Sequence, residues 1–210
     1  MKLTALKPGV HNPNRVNVFL DDTFAFSLDL TQVVDFHLKL GEELSETTVA
    51  KLRHASEYGK LYARTLEWVL SRPRSVQETR DRMLKKRFEK GYAYTDEDIV
   101  QVISSLEQKG YLNDAKFAQL YAENRNLRKG ISRRRLEQEL RQKGVAPDLI
   151  AATLEASPRD ETSEIRKIIA KKHAKLPPDK LLAYLLRQGF PYDLCKSLIA
   201  ETESLELPEA

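Results

Sequence analysis

Beyond about residue 59 the apolar residues fall three or four apart, as in Phe117, Leu120 and Tyr121 or Leu136 and Leu140. That spacing places one buried stripe on a helix. It predicts helices over Ala63–Ser71, Val76–Glu89 and Asp96–Gln108, then Asp114–Leu127, Arg133–Lys143 and Pro147–Glu155, then Asp160–His173, Pro178–Gln188 and Pro191–Glu201. The second and third sets are copies. Leu136, Leu140, Gly144, Val145, Asp148 and Leu149 match Leu181, Leu185, Gly189, Phe190, Asp193 and Leu194 at a constant offset of 45 residues. A less regular copy runs from Ala63 to Leu106, with extra residues between Lys86 and Tyr94. Helices of about a dozen residues are marginal alone in water, so each set of three must pack together.

Start and stop signals agree with this division. Gly110, Gly130, Gly144 and Gly189 each follow an apolar-periodic run, where glycine takes the left-handed conformation that closes a helix. Pro147 and Pro191 suit a first helical position, which needs no N–H. Thr95 with Asp98 resembles a capping box. The front of the chain differs in kind. Arg15–Asp21 and Phe24–Leu28 read as strands joined by a tight turn at Asp21-Asp22-Thr23, and Leu3–Leu6 as a third. A lone hairpin is barely stable, so this small antiparallel sheet should lean on helices over Thr31–Leu38 and Glu46–Leu70. The second of these runs into the first repeat and makes the boundary near Tyr58 a soft one.

The expected organisation is therefore mainly α: a β-hairpin and helix region over 1–58, three-helix repeats over 59–109, 110–157 and 158–203, and an acidic tail over 204–210, with the acidic stretch Glu201–Glu206 expected to fray. With 41% apolar and 31% charged residues the chain can bury one or several small cores. No apolar run approaches the length of a membrane span, and the start lacks a signal-peptide pattern; a cytoplasmic monomer is expected. The single cysteine, Cys195, excludes an internal disulfide and reads as a small buried hydrophobe. His11, His37, His54 and His173 lack metal-ligand spacing. Phosphate-loop, nucleophile-elbow and zinc-protease motifs are also missing. Neither enzyme chemistry, a metal nor a cofactor is expected. Asp96-Glu97-Asp98, Asp114, Asp148, Asp160, Asp179 and Asp193 read as helix starts, where negative charge suits the dipole.

Charge changes this bland picture. The net charge of +4 sums unlike parts, −1 over residues 1–60, +7 over 61–144 and −2 over 145–210. The basic middle holds Arg72, Arg74, Arg80, Arg82, Lys85, Lys86 and Arg87 in the first copy. In the second it holds Arg125, Arg128, Lys129, Arg133, Arg134 and Arg135. The latter flank Gly130, a helix–helix junction where cations from two helices and a turn can converge on a polyanion. The competing reading is a solvated face balanced by Glu123, Glu137 and Glu139. Most aromatic residues read as core. Tyr92 and Tyr94, in the irregular insertion, are the best candidates for exposure and for stacking on bases.

Gly110-Tyr111-Leu112-Asn113-Asp114 followed by Phe117-Ala118, Tyr121, Arg125, Lys129-Gly130, Leu136, Glu139-Leu140 and Lys143-Gly144-Val145 resembles the RecX family of bacterial recombination regulators. Arg72-Pro73-Arg74-Ser75 with Glu78 and Arg80 resembles the opening repeat of that family. The resemblance covers about Tyr62 to Ile199, leaving the N-terminal strands outside it as a possible accessory module. It implies tandem three-helix repeats in an elongated, curved arrangement, suited to following a helical groove. It also implies binding to the RecA recombinase filament, with single- or double-stranded DNA inside it, and restraint of strand exchange and ATP hydrolysis. Arg74, Arg80, Arg125, Arg128, Lys129, Arg133, Arg134 and Arg135 would then face RecA or DNA. Two other readings stay open on the residues alone: a DNA-binding module that acts independently of RecA, and a helical scaffold for an acidic protein.

Overall fold

The computed structural model describes residues 1–10 and 12–206. Strands β1 (Leu3–Pro8), β2 (Arg15–Leu20) and β3 (Thr23–Asp29) form one antiparallel sheet in the order β1-β2-β3. Alternation sends Val16, Val18 and Leu20 to the buried face. Leu20 pairs with Thr23, so the hairpin turns on Asp21 and Asp22 alone, with φ of 46° and 62°. Two left-handed residues make the turn whose twist matches the strands, and aspartate tolerates that backbone better than most residues. β1 braces it: the Lys2 N–H donates to Asp21 Oδ1 at 2.8 Å and the Asp22 N–H to Thr4 Oγ1 at 3.0 Å.

Helix α1 (Leu30–Asp35) is shorter than the predicted Thr31–Leu38, because His37 adopts φ 51° and breaks the ladder. Helix α2 (Glu46–Leu70) is capped by Ser45, which accepts the Thr48 N–H, and runs without a break through residue 58. Its first half covers the sheet, with Val49 and Leu52 packed among Leu3, Val18, Phe26 and Leu28.

Among the described residues eight more α-helices follow: α3 (Val76–Lys90), α4 (Asp96–Gln108), α5 (Asp114–Asn124), α6 (Arg133–Gln142), α7 (Pro147–Ala156), α8 (Glu161–Lys172), α9 (Pro178–Arg187) and α10 (Tyr192–Glu206), with one 3-10 turn over His173–Lys175. The Thr95–Asp98 capping box forms as predicted. All four helix-closing glycines have positive φ. α5 ends at Asn124, short of the predicted Leu127, where Asn126 turns left-handed at φ 51°. Pro147 opens α7, whereas Pro191 stands one residue ahead of α10 and its carbonyl accepts the Cys195 N–H at 3.1 Å. The stretch from Glu201 to Glu206, expected to fray, continues α10. His11 and the last four residues of the expected tail lie outside the described residues. The extra residues of the first copy lengthen α3 to 15 residues, against 10 in α6 and α9.

The chain packs as two compact units. One holds Met1–Arg72 with Thr79–Tyr111, the other Pro73–Glu78 with the chain from Leu112 onward. In the first, the sheet and the first repeat share one body, joined by the unbroken α2. In the second, two cores repeat the same design. Leu136, Leu140, Val145, Ile150 and Leu154 are buried in one, and Leu181, Leu185, Phe190, Cys195 and Ile199 occupy the matching places in the other, each 45 residues on.

Candidate functional site

Several arginines of the second unit's basic stretch are bonded to other groups of that unit. Arg125, just past α5, forks onto Glu139 of α6, with Nε to Oε2 at 2.6 Å and an Nη to Oε1 at 3.1 Å. Arg135 Nε reaches the same carboxylate at 3.2 Å, one helical turn away, and its Nη1 donates to the Gln188 side-chain oxygen. Tyr121 adds its hydroxyl at 2.8 Å. Burial alone would push the Glu139 carboxyl up, but hydrogen bonds from Arg125, Tyr121 and Arg135 outweigh it and hold the group at about 2. Arg133 turns away, its Nη1 donating to the Leu154 carbonyl at 2.9 Å and closing the α6–α7 packing. Arg125, Arg133 and Arg135 thus have internal work to do.

Arg128, Lys129 and Arg134 are exposed, and Arg133 and Arg135 are exposed as well despite the bonds just given. The first two stand on the turn between α5 and α6, where the Lys171 ammonium donates to the Arg128 carbonyl and adds a third cation. Arg134 lies along Gly189, on the wall of an open groove of about 470 Å³ between α6 and the end of α9. Arg135, Arg187, Gln138, Gln142 and Gln188 also line it. Glu139 is the groove's one carboxylate and is already committed to two guanidiniums. Planar guanidinium forks beside amide donors suit a phosphate or carboxylate partner. Arg187 and Gln188 were missed in the sequence, although they occupy the last turn before Gly189, as Gln142 and Lys143 do before Gly144.

In the first copy Arg74 and Arg80 are both half-buried, before and within α3. Tyr94, a candidate for exposure in the sequence, is 5% exposed and donates its hydroxyl to the Met83 carbonyl at 2.6 Å. The insertion folds back because this carbonyl, inside α3, offers an acceptor that a buried phenol needs. Tyr92 is half-buried beside it. Cys195 is fully buried, and desolvation pushes its thiol up to about 11. Among the described residues, no cluster of three His, Cys, Asp or Glu side chains forms a metal-binding set and no helix is long and apolar enough to cross a membrane.

The helix-starting acids divide by role. Asp160 caps its own helix, accepting the Ser163 N–H at 2.9 Å. Asp114 instead reaches the Val76 N–H at the head of α3, also at 2.9 Å, and burial raises its carboxyl above the usual range. Asp98 joins its capping box to His54 Nε2, 3.0 Å away.

Comparisons with known proteins bear on the family and the fold. Residues 113–154 match the family description "RecX, second three-helix domain", and residues 1–45 match "Regulatory protein RecX N-terminal domain". The second match corrects the expectation that the N-terminal strands lie outside the resemblance; too few periodic helical residues there carried a motif. "Regulatory protein RecX" of Bacillus velezensis is 34% identical over 210 residues, which span 96% of this chain and 77% of that protein. The protein of the same name from Bacillus subtilis is 32% identical over 209 residues, with the same coverage of both. Among solved structures, "Crystal structure of regulatory protein RecX" shares the fold at a TM-score of 0.72 and 23% identity, covering 94% of this chain and 98% of that one. RecX from Lactobacillus salivarius aligns at a TM-score of 0.55 and 19% identity over 71% of this chain and 99% of that one. With the sheet, the three helical sets and the copied cores all in place, the chain belongs to the RecX family of regulatory proteins.

Proposed function

We propose that this protein binds the RecA nucleoprotein filament and restrains strand exchange and ATP hydrolysis, with its helical repeats as the contact units. Membership of the RecX family carries this reading. The open α6–α9 groove supports it: Arg134 and Arg187 stand there among glutamines, a surface suited to an anionic partner. Action is by binding, in the cytoplasm where such filaments assemble, and as a monomer. Titrating the protein into RecA, single-stranded DNA and ATP tests this directly. Hydrolysis and strand exchange should fall with added protein; unchanged rates across a wide excess would refute it.

A second reading, DNA binding independent of RecA, is favoured by the three cations gathered at the α5–α6 turn, Arg128, Lys129 and Lys171. It requires affinity for naked DNA that falls steeply with salt. Filament binding without naked-DNA binding would decide for the first reading.

A further inference from the structure

The first unit holds a second groove, of about 530 Å³, between the C-terminal half of α2 and α3, lined also by Tyr92 and Tyr94. Its floor is apolar, made by the buried Leu61, Met83 and Tyr94. Two half-buried rings stand in its walls, each carrying a guanidinium: Arg82 lies 4.6 Å from the Trp68 ring and Arg64 lies 4.8 Å from that of Tyr92. Cations dominate the lining, with Arg64, Arg82, Lys86 and Lys90 against the single carboxylate Glu67. Lys86 also meets Glu89 at 3.1 Å, an exposed pair that a stronger anion can displace.

We propose that this groove binds a short stretch of single-stranded nucleic acid, with bases on the guanidinium–aromatic stacks and phosphates along α3. Flat π-faced ligands stack on both aromatic rings and guanidinium planes, and every base offers such a face. Arg82, Lys86 and Lys90 are spaced four apart, so they form a row on one side of α3 with about 6 Å of rise per step. That row follows consecutive phosphates of an extended strand. A duplex keeps its bases stacked inside and cannot reach the rings. A free mononucleotide would use one cation of the row and leave the others idle. An acidic peptide matches the charge but has no use for the stacks. The groove is lined by residues of the first unit alone, and the proposal does not depend on the RecA reading.

Trp68 is the only tryptophan of the chain, so its emission reports the groove alone. Adding a short oligothymidylate to the full chain at low salt should quench that emission, and raising the salt should reverse it. Lys86→Gln with Lys90→Gln, both on the solvent side of α3, should leave the fold intact and weaken quenching by about tenfold; Tyr92→Ala should weaken it by a similar factor. The proposal fails if the oligonucleotide binds by anisotropy without altering Trp68 emission. It fails equally if thymidine monophosphate or a polyglutamate peptide quenches at the same concentrations as the oligonucleotide, or if the double lysine variant binds like the parent.

Discussion

Ser132 Oγ donates to the Gln188 carbonyl at 2.6 Å, tying the head of α6 to the tail of α9 across 56 residues of chain. The contact is copied one repeat earlier, where Ser75 Oγ donates to the Lys143 carbonyl at 2.7 Å, joining the head of α3 to the tail of α6. In each case the next backbone N–H is taken by an acid at the start of the following repeat: Val76 by Asp114 at 2.9 Å and Arg133 by Glu161 at 3.1 Å. Successive repeats are therefore joined by satisfying the free N–H groups of one helix and the free carbonyls of another at once.

Ser132 is fully buried and also caps its own helix, accepting the Arg135 N–H at 3.1 Å. Ser132→Ala removes the cap and strands a half-buried carbonyl, and should cost about 2 kcal/mol. A urea midpoint unchanged from the parent would show that the joint is not needed. Ser75→Ala should behave alike.

Gly130 and Gly110 close helices with nearly the same backbone, φ 79° and 73°, but in different surroundings. A Cβ on Gly130 would stand 2.4 Å from the Glu164 carbonyl oxygen, while one on Gly110 meets nothing within 4 Å. Gly110→Ala should therefore cost about 1 kcal/mol, the left-handed penalty alone. Gly130→Ala should cost clearly more, since α8 must move. Equal thermal shifts for the two variants would contradict this.

Glu139 links folding to acid. Its carboxyl is held near 2 in the folded chain against an ordinary value of 4.5, so the unfolded chain binds its proton first as pH falls. The resulting stability is fully present above about pH 4.5 and is lost as pH drops toward 2. Water screens the two partly exposed arginines, which limits the contribution to about 2 kcal/mol. Glu139→Gln should be less stable than the parent at pH 7, and the gap should narrow through that acid window. A gap constant from pH 7 to pH 2.5 in denaturant titrations would remove Glu139 from the account.

Replacing Arg133, Arg134 and Arg135 together would confuse stability with binding. Arg134→Ala with Arg187→Ala removes two guanidiniums of the α6–α9 groove and should leave the melting temperature within a few degrees while weakening inhibition of RecA-catalysed hydrolysis by about tenfold. Arg133→Ala should do the reverse, losing about 1 kcal/mol of stability with its bond to the Leu154 carbonyl. If the double variant inhibits as well as the parent, the groove is not the contact surface.

Much of the architecture was legible because its signals are local. The apolar spacing of Leu136 and Leu140, the Thr95–Asp98 box and Gly144 each act within a turn or two of chain, so their order alone gives the helices and the 45-residue copy. The tail beyond Glu201 and the ends of α1 and α5 were misplaced, since a left-handed His37 or Asn126 has no strong residue signature.

By itself, then, the sequence determined the helical sets, the small sheet ahead of them and the family resemblance carried by the Gly110–Val145 stretch. Tertiary structure alone decided which of these side chains the protein itself already holds. Arg125 and Arg135 are occupied by Glu139, Arg133 by the Leu154 carbonyl, and Tyr94 by the Met83 carbonyl, whereas Arg134 joins Arg187 from the next repeat in an open groove. A charge or a ring shows its type in the chain, but the acceptor that claims it is set by packing between elements far apart in sequence.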